Sequence, residues 1–71
     1  MNYWAQKLLE EDSTLRNDFK AALDLESQAW HAMEADRWNV LLRRDHEIAM
    51  RLLQEVRREI MGRLKARRRA T

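Results

Sequence analysis

Apolar residues recur at helical spacing along almost the whole chain. In the first half Leu8, Leu15, Ala22 and Ala29 repeat every seven residues, flanked by Trp4, Phe19, Leu23, Trp30 and Met33. This makes a broad apolar stripe on one helical face, with Glu, Asp, Arg and Asn opposite. In the second half Leu41, Leu42, Asp45, Ile48, Ala49, Leu52, Leu53, Val56, Ile60 and Leu64 repeat the pattern, with arginines and glutamates between them. Two-residue alternation is absent, and Ala, Leu, Glu, Arg, Gln and Met dominate. An all-α fold follows.

The two stripes meet at "MEADRWNVLL", Met33 to Leu42, in a chain with no proline and one glycine. The first stripe ends at Met33. Asp36 is then placed to cap the amides of a following turn, with Ala35 and Val40 as a weak hydrophobic staple around it. The pattern predicts a helix over about 3–33, a tight turn over about 34–37, a helix over about 38–66 and a basic tail over 67–71. The helix over 3–33 can also break near 11–14, in "EEDST", where Asp12, Ser13 or Thr14 can cap a helix beginning at Leu15. That leaves Tyr3 to Glu10 as a short separate helix or an arm.

Local propensity alone also permits one continuous rod, so charge decides the expectation. Up to Asp36 eight acids stand against three basic residues, a net of −5; from Arg37 onward eleven basic residues stand against four acids, a net of +7. Setting the halves against each other places opposite charges side by side, which favours an antiparallel helical hairpin or an antiparallel dimer over a parallel in-register pair; with the apolar Trp38 just past the turn, the hairpin is the expectation. A chain of 71 residues without cysteine is near the lower limit for an independent core. Leucines on adjacent positions, Leu41/Leu42 and Leu52/Leu53, give more apolar surface than one seam between two helices needs. A four-helix bundle made by a homodimer uses the surplus, and so does docking onto another protein's helix.

The absence of cysteine fits a reducing cytoplasm. "MNYWAQKLLEEDS" has no basic region followed by an apolar run, and no apolar segment approaches the ~20 residues that span a bilayer. A soluble, unprocessed, cytoplasmic chain without membrane insertion is expected.

The segment "LESQAWHAMEADRWNVLLRRDHEIAMRLLQEV", Leu25 to Val56, resembles the small helical export chaperones of bacterial flagella and type III export, of the FliT and FlgN type. In that family a helix ends in a short stretch with an acid and a tryptophan, then a leucine pair and a charged helix; Asp36, Trp38, Leu41 and Leu42 follow this layout. The resemblance implies a bacterial cytoplasmic chaperone or adaptor that binds a helix of a secretion substrate or regulator.

Candidate partner-binding residues are Trp4, Leu8, Trp30, Trp38, Leu42 and Leu53. Trp30 and Trp38 straddle the turn and either anchor a partner or seal the closed end of a hairpin, the commoner use of aromatics at helical spacing. Tyr3 and Trp4 either pack across a dimer or form an exposed contact. Arg63, Lys65, Arg67, Arg68 and Arg69 lie within seven positions, after the helix-weakening Gly62. They can track the phosphates of a nucleic acid, or serve only as a solubilising run that complements a helix dipole.

Other chemistry is thin. "HEIAM" begins like the zinc-binding H-E-x-x-H helix, but Met50 stands where the second histidine would be. His31 follows Ser27 by four residues, with no third group to orient it. Glu26 and Asp45 interrupt the apolar stripes; an acid buried at either position needs a partner, such as an arginine from the other arm. No phosphate loop, metal set or paired catalytic carboxylates is present, so the chain reads as non-enzymatic, with no cofactor. Three classes remain: a helical adaptor or secretion chaperone with a protein partner, a small dimeric nucleic-acid-binding regulator using the arginine-rich second helix and tail, and a purely structural bundle.

Overall fold

The computed structural model describes residues 3–70 and contains three helices and no strand among them: α1, Tyr3–Glu11; α2, Ser13–Ala35; and α3, Val40–Ala70. The break between α1 and α2 is made by Asp12 alone. Its backbone is extended, at φ −110° and ψ 95°, and its carboxylate accepts the Leu15 amide at 3.0 Å. Its own amide still donates to Leu8 O at 2.9 Å, so one residue bends the chain while bonding to both helix ends.

The turn falls at 36–39, later than the 34–37 expected, and its capping differs from the sequence reading. Asp36 ends α2, its amide donating to Met33 O at 3.3 Å. The residue that caps α3 is Asn39, whose Oδ1 accepts the amides of Leu41 at 3.0 Å and Leu42 at 3.4 Å. These are the second and third helical positions, where a cap side chain reaches orphan donors. Asp36 lies three residues too early for that role. The staple between Ala35 and Val40 is also absent, since Val40 is the first residue of α3 and 73% exposed. Asn39→Ala is therefore expected to cost about 0.5–2 kcal/mol of stability. Asp36→Ala, which loses only a 3.4 Å contact to Asn39 Nδ2, should stay within about 0.5 kcal/mol. Urea melts of the two variants followed by far-ultraviolet circular dichroism check the ranking.

α3 packs against both α2 and α1. Glu26 meets His46, Asp12 meets Arg63 and Glu11 meets Arg67, so residue numbers fall along α2 and α1 as they rise along α3. At about 1.5 Å per residue, α2 is too short to cover α3, which has 31 residues against 23. α1 covers the remainder. Ala5 and Leu8 of α1, Leu15 and Phe19 of α2, and Ile60 and Leu64 of α3 form the main core cluster, with Leu9 and Val56 against it. Ala22, Ala49 and Leu53 extend the buried seam toward the turn. The body measures 50 × 18 × 18 Å.

The arginine-rich segment is not a tail. α3 continues through Gly62 to Ala70, with Arg67, Arg68 and Arg69 in its last turn, where cations complement the negative end of the helix dipole. Gly62 costs the helix only about 1 kcal/mol relative to alanine, and the neighbouring Ile60 and Leu64 are held in the core. A β-carbon added at Gly62 meets nothing within 4 Å, and no described residue has positive φ. Gly62→Ala is accordingly expected to raise stability by about 0.5–1 kcal/mol, read as a higher midpoint in the same melts.

Candidate functional site

The structure divides the candidate partner-binding residues between core and surface. Leu8 and Leu53 are 3% and 6% exposed, packed within the chain itself, and so are not available to a partner in this fold. Trp38 is 89% exposed on the turn and seals nothing; α3 begins two residues later, which leaves the indole outside the interhelical seam. Trp30 is about half exposed, with an edge-to-face contact to His31 at 5.3 Å between ring centroids. Trp4 is likewise exposed and stands edge-on to Tyr3 at 5.2 Å. Leu42 is half-buried.

The leucine pairs resolve into one inward and one outward residue each. Leu53 faces the seam and Leu52 is 42% exposed; Leu42 is half-buried and Leu41 is 67% exposed. One residue along a helix is a rotation of about 100°, so both members cannot occupy a single seam.

Between α2 and α3 lies a shallow groove, open to solvent. Toward the turn it is lined by Leu25, Gln28, Ala29 and Ala32 of α2 and by Leu42, Asp45, Ile48 and Ala49 of α3. It continues past Leu25 between Asp18, Ala21 and Ala22 on one side and Leu52, Glu55 and Val56 on the other. Small side chains on α2 let the floor lie low, while Leu25, Ile48 and Leu52, each between 42% and 48% exposed, rise beside it. From Asp18 to Ala32 the groove runs along about 20 Å of α2, or four helical turns. The sequence reading placed only Leu42 here. Leu52 belongs to one of the two pairs that signal surplus apolar surface, Ile48 is a member of the second stripe, and Leu25 is in neither stripe.

The acids that interrupt the stripes have different fates. Glu26 is half-buried and its partner is a histidine rather than an arginine: His46 Nε2 lies 3.0 Å from Glu26 Oε1. His46 is four residues after Leu42 and three before Ala49, the spacing of the seam itself. Asp45 is exposed and lines the groove. His31 and Ser27 are both exposed. No group of three or more His, Cys, Asp or Glu among the described residues is placed to hold a metal ion, and no described helix is long and apolar enough to cross a membrane.

At the opposite end of α3 the basic residues are partly engaged. Arg63 pairs with Asp12 and, at 2.8 Å, with Glu59; Arg67 pairs with Glu11 at 2.6 Å. Lys65, Arg68 and Arg69 are exposed. Arg67 and Arg68 also line a recess with Trp4, Lys7, Glu11 and Leu64, where α1 meets the end of α3.

The class defined by these observations is an all-α protein with an open apolar groove along two packed helices. Compared with protein-family models, curated proteins and solved structures, the chain matches none.

Proposed function

We propose that the chain is a non-enzymatic, cytoplasmic interaction module, an adaptor or secretion-chaperone-like protein built as an antiparallel helical hairpin that docks a helix of a partner protein. The observation that carries this reading is the α2–α3 groove. It is mainly apolar along about four turns and unfilled by the chain's own side chains, the kind of surface on which an amphipathic helix docks. The segment resembling flagellar export chaperones, Leu25 to Val56, contains most of its lining. The accessible surface supports it too: 5754 Å², against roughly 4,700 Å² for a compact monomer of this mass. The surplus of about 1,000 Å² compares with the roughly 800 Å² each partner gives to a standard interface.

A homodimer forming a four-helix bundle is another way to cover the groove. It would place Asp18, Asp45 and Glu55 of both copies, six carboxylates, in an interface whose lining contains no lysine or arginine. A different chain is the better occupant. The second reading, a nucleic-acid-binding regulator, rests on the recess where exposed Trp4 stands beside Lys7, Arg67 and Arg68, a stacking ring with cations. Glu11 in the same recess and the ion pairs of Arg63 and Arg67 reduce the charge it offers to phosphates.

The test is affinity capture of the tagged chain from native lysate, with and without nuclease, beside the Leu52→Asp variant. A protein retained after nuclease and lost by Leu52→Asp supports helix docking in the groove. A catch that vanishes with nuclease and ignores Leu52→Asp overturns it in favour of the basic end of α3.

A further inference from the structure

We infer that the groove selects a basic amphipathic helix, one whose apolar stripe is flanked by lysine or arginine. This deepens the docking reading and rests on it. The chain carries 14 lysines and arginines against 12 acids, yet the groove inverts that balance: its lining has three carboxylates and no cation.

The pairing of the acids sharpens the point. Glu11, Asp12, Glu26, Glu34 and Glu59 all have basic partners within the chain. Asp18, Asp45 and Glu55 are exposed, and among the described residues none of them has an ion-pair partner. The three carboxylates of the groove thus face whatever lies in it. Individually such exposed groups are weak. A helix laid over the apolar floor excludes water from between them, and the carboxylates then act on its flanks at shorter range and lower effective dielectric.

Their positions specify a pattern. Asp45 and Glu55 stand ten residues apart on α3, about 15 Å along its axis. Asp18, on α2, shares with Glu55 the stretch of groove farther from the turn. The complementary helix has cations on both flanks at one end, facing Asp18 and Glu55, and one on a single flank about ten residues away, facing Asp45. An acidic helix, a nucleic acid and an anionic membrane surface are all repelled from this face by the same three groups, and a second copy meets it with like charge.

The test uses the full chain and three fluorescent peptides of about 18 residues, long enough to span the groove. They share one Leu/Ala stripe and differ in flanking residues: Lys/Arg in the pattern above, Gln, or Glu. Anisotropy titrations are expected to show the basic peptide binding at least tenfold more tightly than the Gln peptide, with the Glu peptide weakest. The preference should shrink toward unity between about 0.05 and 0.5 M salt. It should also disappear in an Asp18→Asn, Asp45→Asn, Glu55→Gln variant, whose fold is checked by circular dichroism. Equal binding of all three peptides, lost in Leu52→Asp, overturns the charge inference and leaves helix docking standing. Binding of none, or binding indifferent to Leu52→Asp, overturns both.

Discussion

Leu15→Ala is expected to leave much of the chain unfolded at 25 °C. Leu15 is 1% exposed, the one large side chain buried almost completely, and it sits where the core cluster joins residues of all three helices. Removing its isobutyl group forfeits the transfer energy of the buried carbons and leaves a cavity, together about 2–5 kcal/mol. The position argues for the upper part of that range. Asp12 immediately upstream fixes the angle between α1 and α2 through its cap on the Leu15 amide, so the backbone has little freedom to collapse onto the void. A domain of this length has a total stability of roughly 4–11 kcal/mol, and a single elongated seam belongs near the bottom of that span. The measurement is a urea melt followed by circular dichroism, with the wild type alongside. A midpoint shift equivalent to less than about 1 kcal/mol would mean that the junction of the three helices does not hold the chain together.

The same junction shows which parts of the architecture the sequence carried openly. A helical fold is legible because the seven-residue recurrence of Leu8, Leu15 and Ala22 is long enough to outweigh local ambiguity, but that recurrence runs across Asp12 and reads as one helix over about 3–33, where the structure has two. The stop at "EEDST" was legible as a capping residue type, though three candidates stood there and only the backbone of Asp12 decides among them. The start of α3 was misread for a related reason. Asp36 and Asn39 are both good caps, and the choice depends on where the chain completes its reversal, which neither side chain encodes alone. The expected end of the second helix at about 66 falls four residues short, because beyond Leu64 no large apolar position marks a core-facing residue, yet α3 continues to Ala70.

The candidate site was legible as a quantity and not as a place. Paired leucines announce more apolar surface than one seam uses, but periodicity cannot say which member of a pair turns inward, and Leu53, a candidate partner-binding residue, is buried within the chain. The three exposed tryptophans drew attention by size, and none of them lines the groove. Its floor is alanine, which gives no signal until two helices are set side by side. Asp45 had been weighed as a buried acid; in three dimensions it joins Asp18 and Glu55, residues 27 and 10 positions away, in a face with no cation.

Leu52 and Leu53 provide the sharpest separation of folding from docking, because the same substitution at adjacent residues should have opposite consequences. Leu53→Asp puts a carboxylate into a position only 6% exposed. It loses the burial of a leucine, about 2–5 kcal/mol, and adds the desolvation of an unpaired charge, so no folded population is expected. Leu52→Asp keeps its carboxylate at the edge of the groove, in contact with water, and should retain the helical spectrum and cost about 1 kcal/mol or less. Yet it places a fourth acid on the groove wall and removes one of the three large residues that rise beside the floor. Loss of one apolar anchor at the centre of an interface commonly costs 2 kcal/mol or more, roughly thirtyfold in affinity. Titrating the folded Leu52→Asp chain with the Gln-flanked peptide isolates this effect, since that peptide has no flanking charge for the new carboxylate to attract. A folded Leu52→Asp chain that binds as the wild type does would place the docking surface elsewhere on the molecule. An unfolded one would show that Leu52 belongs to the core, and that the groove closes in solution through contacts the isolated chain makes with itself.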